Sequence, residues 1–191
     1  MMRDFSKYKE EILQGFELED EVLQETIDKY KGKIPNALLS IWKEFGYGTL
    51  LNSYLKIINP DKYINILEEI YDDYEGEIPI IITAFADIIA VDKDGQLIIL
   101  NLRFDFVDIL FSKWDDVFYY CLSEKSFLKE DLQWEPYEEA VNLYGKPKFD
   151  ECFAYVPLLS LGGSNDIKHI KKVKLIEHIE VIKTLQGTLE F

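Results

Sequence analysis

Histidine and cysteine are almost missing from this chain, with two of each among 191 residues. A zinc site takes three or four ligands, usually with His or Cys pairs closely spaced. Neither C-x-x-C nor H-E-x-x-H occurs, so the sequence argues against zinc chemistry. A G-x-S-x-G nucleophile elbow is missing, and so is the G-x-x-x-x-G-K-[ST] spacing of a phosphate cradle. No apolar run approaches the roughly 20 residues of a membrane-spanning helix. Met1-Met2-Arg3-Asp4-Phe5-Ser6-Lys7 has no apolar stretch behind it, so no secretory leader is expected. Cys121 and Cys152 each sit among aromatic and aliphatic residues. They read as buried reduced thiols rather than a disulfide, and the compartment as cytoplasmic. With only six Pro and ten Gly and no low-complexity tract, disorder is confined to the ends.

Bases are short too: 21 against 36 acids, for a net charge of −15. Such a field repels phosphate backbones and anionic membrane surfaces, so neither nucleic acid nor membrane is an expected partner. It favours cationic partners. The plain alternative is that acidity only keeps the protein soluble. Lys168, Lys171, Lys172 and Lys174 form the sole basic run, and Asp166 and Glu177 flank it.

What the chain has in quantity is apolar bulk: 48% of residues, including 12 Phe, 12 Tyr and 3 Trp. A chain this long buries about 70% of its unfolded surface. The pattern predicts one α+β domain over residues 1–191, with a helical arm over 1–16. Helices are expected over 17–30 and from Pro35 to Gly46, where Ile34, Leu38, Ile41, Trp42 and Phe45 fall at helical spacing. A strand follows over 50–58, then a helix capped by Asn59-Pro60. From Ile78 the period changes. Strands over 78–85, 87–91, 96–102 and 104–111, with a hairpin turn at Asp92-Lys93-Asp94-Gly95, make a mostly antiparallel meander over about 50–111. These strands are apolar on both faces, so N-terminal, middle and C-terminal helices must cover the sheet. Helices resume at Trp114–Leu122, 124–131 and 136–144. A strand near 150–157 and a helix carrying Leu175, Ile179, Ile182 and Leu185 complete the chain.

Catalytic candidates are sparse. His178 shares a helical face with Leu175 and Ile182 and reads as a packed histidine. Ser164 follows Gly162-Gly163 and reads as a turn serine. Asp92-Lys93-Asp94-Gly95 lacks the spacing of a calcium loop. Asp166-Ile167-Lys168 lacks the paired acid of a metal-dependent nuclease. Neighbouring acids such as Asp72-Asp73 and Asp115-Asp116 diverge rather than face each other across a cleft. No cofactor is expected. The residues that stand out are acids interleaved with aromatics, in two stretches. One holds Asp72, Asp73, Tyr74, Glu75 and Glu77; the other holds Trp114, Asp115, Asp116, Tyr119, Glu130, Asp131, Trp134, Glu138 and Glu139. Tyr and Trp beside carboxylates make anchors for a partner rich in Arg and Lys.

Ile34-Pro35-Asn36-Ala37-Leu38-Leu39 followed by Trp42-Lys43-Glu44-Phe45-Gly46-Tyr47-Gly48 resembles the opening of the GAD-like domain, and Asn59-Pro60-Asp61-Lys62-Tyr63 its next helix start. Phe153-Ala154-Tyr155-Val156-Pro157-Leu158-Leu159-Ser160-Leu161-Gly162-Gly163-Ser164, with Lys172-Val173-Lys174-Leu175-Ile176-Glu177-His178, resembles the C-terminal signature found with it. The pairing resembles immunity proteins against type VI secretion DNase effectors, related to the SUKH superfamily. It implies a GAD-like portion over about 18–145 and an immunity signature over about 149–187. It also implies a cytoplasmic, non-enzymatic protein that neutralises a cognate toxin, a nuclease. Pro35, Trp42, Gly46, Gly48, Pro157, Gly162, Gly163 and His178 belong to the resembling motifs. Two other readings compete: a small-ligand or hydrolytic site at Gly162-Gly163-Ser164 with His169 and His178, and a scaffold module for an endogenous protein. The first requires a deep cavity with both histidines pointing in.

Overall fold

The computed structural model describes residues 15–112 and 125–191. Of the helical arm expected over 1–16 only residues 15 and 16 are described, and they are not helical; the helix expected over Trp114–Leu122 falls outside these residues. A sheet of seven strands runs in chain order: β1 (Glu17–Asp20), β2 (Tyr47–Leu50), β3 (Leu55–Ile57), β4 (Ile78–Thr83), β5 (Ile88–Val91), β6 (Leu97–Asn101) and β7 (Phe106–Phe111). Each strand pairs antiparallel with the next. Because side chains alternate across a strand, register assigns the faces. Ile81, Ile89 and Ile99 lie on one face; Ile82, Ile88 and Leu100 lie on the other.

Both faces are covered. Helices α1 (Gln24–Tyr30) and α2 (Asn36–Phe45) pack on the first, together with Phe127 of α4 (Lys125–Glu130) and Tyr137 and Ala140 of α5 (Tyr137–Tyr144). On the second lie α3 (Ile64–Ile70) and α6 (Leu175–Gln186). Two apolar layers explain why β4 to β6 read as unbroken apolar runs.

Three elements differ from the reading of the sequence, each for a physical reason. The expected helix over 17–30 splits into strand β1 and α1, because β1 is held by distant glycines. A Cβ on Gly46 would stand 2.3 Å from the Asp20 carbonyl oxygen, and one on Gly48 2.3 Å from that of Glu17. Only at glycine can the β1 backbone pass this close. The expected strand over 50–58 is instead the hairpin β2–β3, since Leu51, Asn52 and Ser53 turn through left-handed backbone. The strand near 150–157 is β8 (Glu151–Tyr155), whose ladder partner is β9 (Ile170–Lys174) rather than a strand of the meander. This ribbon is fastened to the large sheet by the Phe153 N–H, which donates to the Ala84 carbonyl at 2.7 Å. Lys56 crosses beneath it. Fully buried, its ammonium donates to the Glu151 carbonyl at 2.6 Å, and burial pushes its pKa down to about 8. Cys152 is a buried free thiol.

Candidate partner-binding face

The two acidic stretches occupy different ends of the sheet. Glu77 precedes β4, level with the Asp92–Gly95 turn, and Glu75 pairs with Lys93 of that turn. Thr83, Asp87 and Arg103 lie at the opposite ends of β4, β5 and β6. The segment leading to Trp134 meets this opposite end.

In the first stretch most polar groups are committed within the chain. Glu77 is buried and accepts from the Glu75 N–H at 2.7 Å. Asp73 accepts from the Phe191 N–H at 2.9 Å. The Asp72 backbone N–H donates to Leu189, leaving its carboxylate exposed. Tyr74 is half-buried, and its phenol pKa is raised by burial and by Glu68 and Glu77.

The second stretch is open. Trp114, Asp115, Asp116 and Tyr119 lie outside the described residues. Glu130, Asp131, Glu138 and Glu139 are exposed. Trp134 is half-buried, its ring centroid 4.6 Å from that of Tyr54 and 5.3 Å from that of Tyr137. Its other side borders a concavity of about 550 Å3 lined by Glu135, Pro136, Tyr137, Glu138, Glu139 and Asn142. Nearby, the Asp131 carboxyl is pushed up by burial and then by the charges of Glu130 and Asp108. Lys129 stands 3.2 Å from Glu135 in an exposed pair, which contributes little. Negative charge over an aromatic floor is suited to a guanidinium or ammonium group.

Beneath this concavity is a buried ionic network that the reading of the sequence missed. Asp87 is fully buried, and the Arg103 side chain is 5% exposed. Arg103 Nε donates to Asp87 at 2.8 Å, and Nη2 stands 2.6 Å from the same carboxylate oxygen. The guanidinium also reaches the Gln133 carbonyl at 3.0 Å and the Leu132 carbonyl at 3.1 Å. Its plane lies over Phe85, 4.5 Å from the ring centroid. Thr83 Oγ1 donates to Asp87 and accepts from the Phe85 and Asp87 N–H groups. Single charges bordering the apolar strands were the available signal, since charge at such positions must be paired.

Among the described residues, Gly162, Gly163, Ser164, His169 and His178 of the C-terminal region are not gathered around one cavity. His178 is packed beside Leu175, Ile179 and Ile182, and burial pushes its pKa down to about 4. The cavity beside it measures about 10 Å3, room for a single water at most, and none of Gly162, Gly163, Ser164 or His169 lines it. His169 is half-buried, with Nδ1 3.4 Å from the Val156 carbonyl. Ser164 accepts from the Asp166 N–H at 3.2 Å, as a turn serine does. Gly162 has φ +84°, while Gly163 is needed for closeness: a Cβ there would stand 2.1 Å from the Pro157 carbonyl oxygen. Among the described residues no group of His, Cys, Asp or Glu could hold a metal ion, and no helix is long and apolar enough to cross a membrane.

With this geometry in place, likeness to known proteins becomes informative. Residues 7–103 match the GAD-like domain, and residues 115–186 match "T6SS immunity protein Tdi1, C-terminal". The chain belongs to the GAD-like domain family. Its second match supports a type VI secretion immunity protein. A solved structure titled "Crystal structure of Atu4351 from Agrobacterium tumefaciens" shares the fold, with a TM-score of 0.67 at 16% identity, covering 93% of this chain and 89% of that one. No curated protein matches.

Proposed function

We propose that this GAD-like chain is a non-enzymatic immunity protein of the cytoplasm that binds a cationic nuclease toxin and blocks its nucleic-acid cleft. The match of residues 115–186 to the immunity family carries the reading. The open concavity at Trp134 adds a face of suitable chemistry. A nuclease must hold an anionic backbone, so its cleft is cationic, and an acidic partner competes for it. Trp134, Glu138 and Glu139 form the centre of that face, with Glu130 and Asp131 at its edge. Trp114, Asp115, Asp116 and Tyr119 are further candidates. Asp72, Asp73, Tyr74 and Glu75 are weaker ones, their polar groups being largely occupied within the chain.

The test is co-expression with nuclease toxins encoded beside this gene, with cell survival and calorimetric binding as readouts. Protection with tight binding that weakens steeply as salt rises is the expected result. Loss of viability together with no measurable binding to any such toxin overturns the reading.

A further inference from the structure

We propose that Arg103, anchored by Asp87, is the positioning residue of the Trp134 concavity, and so sets the shape of the partner-binding face from inside the sheet. The inference rests on the reading of that concavity as the toxin-binding face. The two regions that match different families are joined here. Asp87 and Arg103 fall in the GAD-like match, and Leu132 to Tyr137 in the immunity match.

Among the described residues, five side-chain hydrogen bonds join the GAD-like region to the segment Leu132–Tyr137. Arg103 donates to the carbonyls of Leu132 and Gln133. Tyr54 donates a second bond to the Leu132 carbonyl. Asn101 Nδ2 donates to the Gln133 side chain at 3.3 Å, and Tyr137 donates to the Asn52 carbonyl at 2.6 Å. Gln133 is held in left-handed backbone, at φ +50°. A non-glycine residue stays there only when its surroundings over-determine it. Two of the carbonyls that fix it point at one guanidinium. A buried ion pair need not add net stability over an apolar pair of similar volume. A planar fork meeting a carboxylate and two carbonyls does supply geometric precision, which an ammonium cannot reproduce.

Arg103→Lys separates the two roles, since the ammonium can keep Asp87 as partner but cannot span both carbonyls. The readout is 19F NMR of the full chain labelled with 5-fluorotryptophan, the Trp134 signal being assigned with Trp134→Phe. In Arg103→Lys the Trp134 signal is expected to shift or broaden while that of Trp42 stays in place. The dissociation constant for the toxin identified above is expected to rise about tenfold. Leu175→Ala, on the opposite face of the sheet, is the destabilised control and should leave affinity unchanged. Tyr54→Phe removes one tether without touching charge, and should move the Trp134 signal less and in the same sense. A Trp134 signal identical to wild type in both Arg103→Lys and Tyr54→Phe overturns the proposal, as does an equal loss of affinity in Leu175→Ala. If Trp134→Ala leaves toxin affinity intact, the binding-face reading fails, and the positioning role in partner binding falls with it. The fluorine signals then still report whether Arg103 orders the segment.

Discussion

Two acidic, aromatic stretches that look alike in sequence behave oppositely in the fold. Around Asp72–Glu77 two carboxylates close the chain on itself, Glu77 accepting from the Glu75 N–H and Asp73 from the Phe191 N–H. Glu75 makes only an exposed pair with Lys93, and Asp72 stays open. Around Glu130–Glu139 the acids project outward over a half-buried Trp134, and the polar bonds that order the segment come from below, through Arg103, Tyr54 and Asn101. On the proposed reading, charge density alone does not mark a binding face. The distinguishing feature is whether the negative groups are already answered within the chain, and whether an apolar floor lies beneath them.

The sharpest way to break this contrast is charge reversal at each end. Glu138→Lys with Glu139→Lys places two cations on the floor meant for a partner's cation. Like charges across an interface cost several kcal/mol. The expected result is a loss of toxin affinity of two to three orders of magnitude, with little change in thermal stability. Asp72→Lys, the same change at the exposed acid of the other end, should alter affinity by about threefold or less through long-range steering alone. Equal losses from both would erase the distinction.

Much of this was legible beforehand. Helix α2 follows from apolar residues at 38, 41, 42 and 45 between Pro35 and Gly46, and β4 to β7 from their apolar runs and the Asp92–Gly95 turn. What stayed hidden depends on contacts distant in sequence. Nothing in Glu17–Asp20 announces a strand; its cause lies in Gly46 and Gly48, some thirty residues later. In β9, Ile170 is buried while Lys171, Lys172 and Lys174 stay exposed, so the sequence reads as a basic run until β8 is paired with it. Trp134, Glu138 and Glu139 were singled out from composition, whereas Arg103 and Asp87 beneath them were not. Composition shows which groups could meet a partner, but a buried pair is recognised only once both ends of its strands are placed.

Acid titration sharpens the contrast from another side. His178 is neutral and buried, with its pKa pushed from 6.5 down to about 4 by desolvation. The unfolded chain therefore binds a proton in the window between pH 6.5 and 4 that the folded chain refuses. The His178 contribution to stability is intact above about pH 6.5, is lost as pH drops through that window, and changes no further below it, by about 3 kcal/mol in all. The lowered carboxyls of Asp61, Asp150 and Asp166 add their own loss in acid. Urea unfolding of wild type and His178→Leu should show a steeper fall between pH 6.5 and 4 in the first than in the second. Toxin affinity of the two proteins at pH 7 should agree, because α6 lies on the sheet face opposite Trp134.

The smallest effect is expected at Glu77, where the contrast is most easily missed. The residue is 4% exposed and its carboxylate accepts from the Glu75 N–H, in a segment that composition alone would assign to the binding face. Glu77→Ala strands that N–H near the surface, where water can partly replace the lost acceptor. The loss should be about 1 kcal/mol of unfolding free energy, the usual net worth of one hydrogen bond. Toxin affinity, measured at a temperature where both proteins are fully folded, should not change. A stability loss without an affinity loss places Glu77 with the groups that close the chain. The reverse pattern would move the binding face to the Asp92 turn, and the open concavity at Trp134 would then need another occupant.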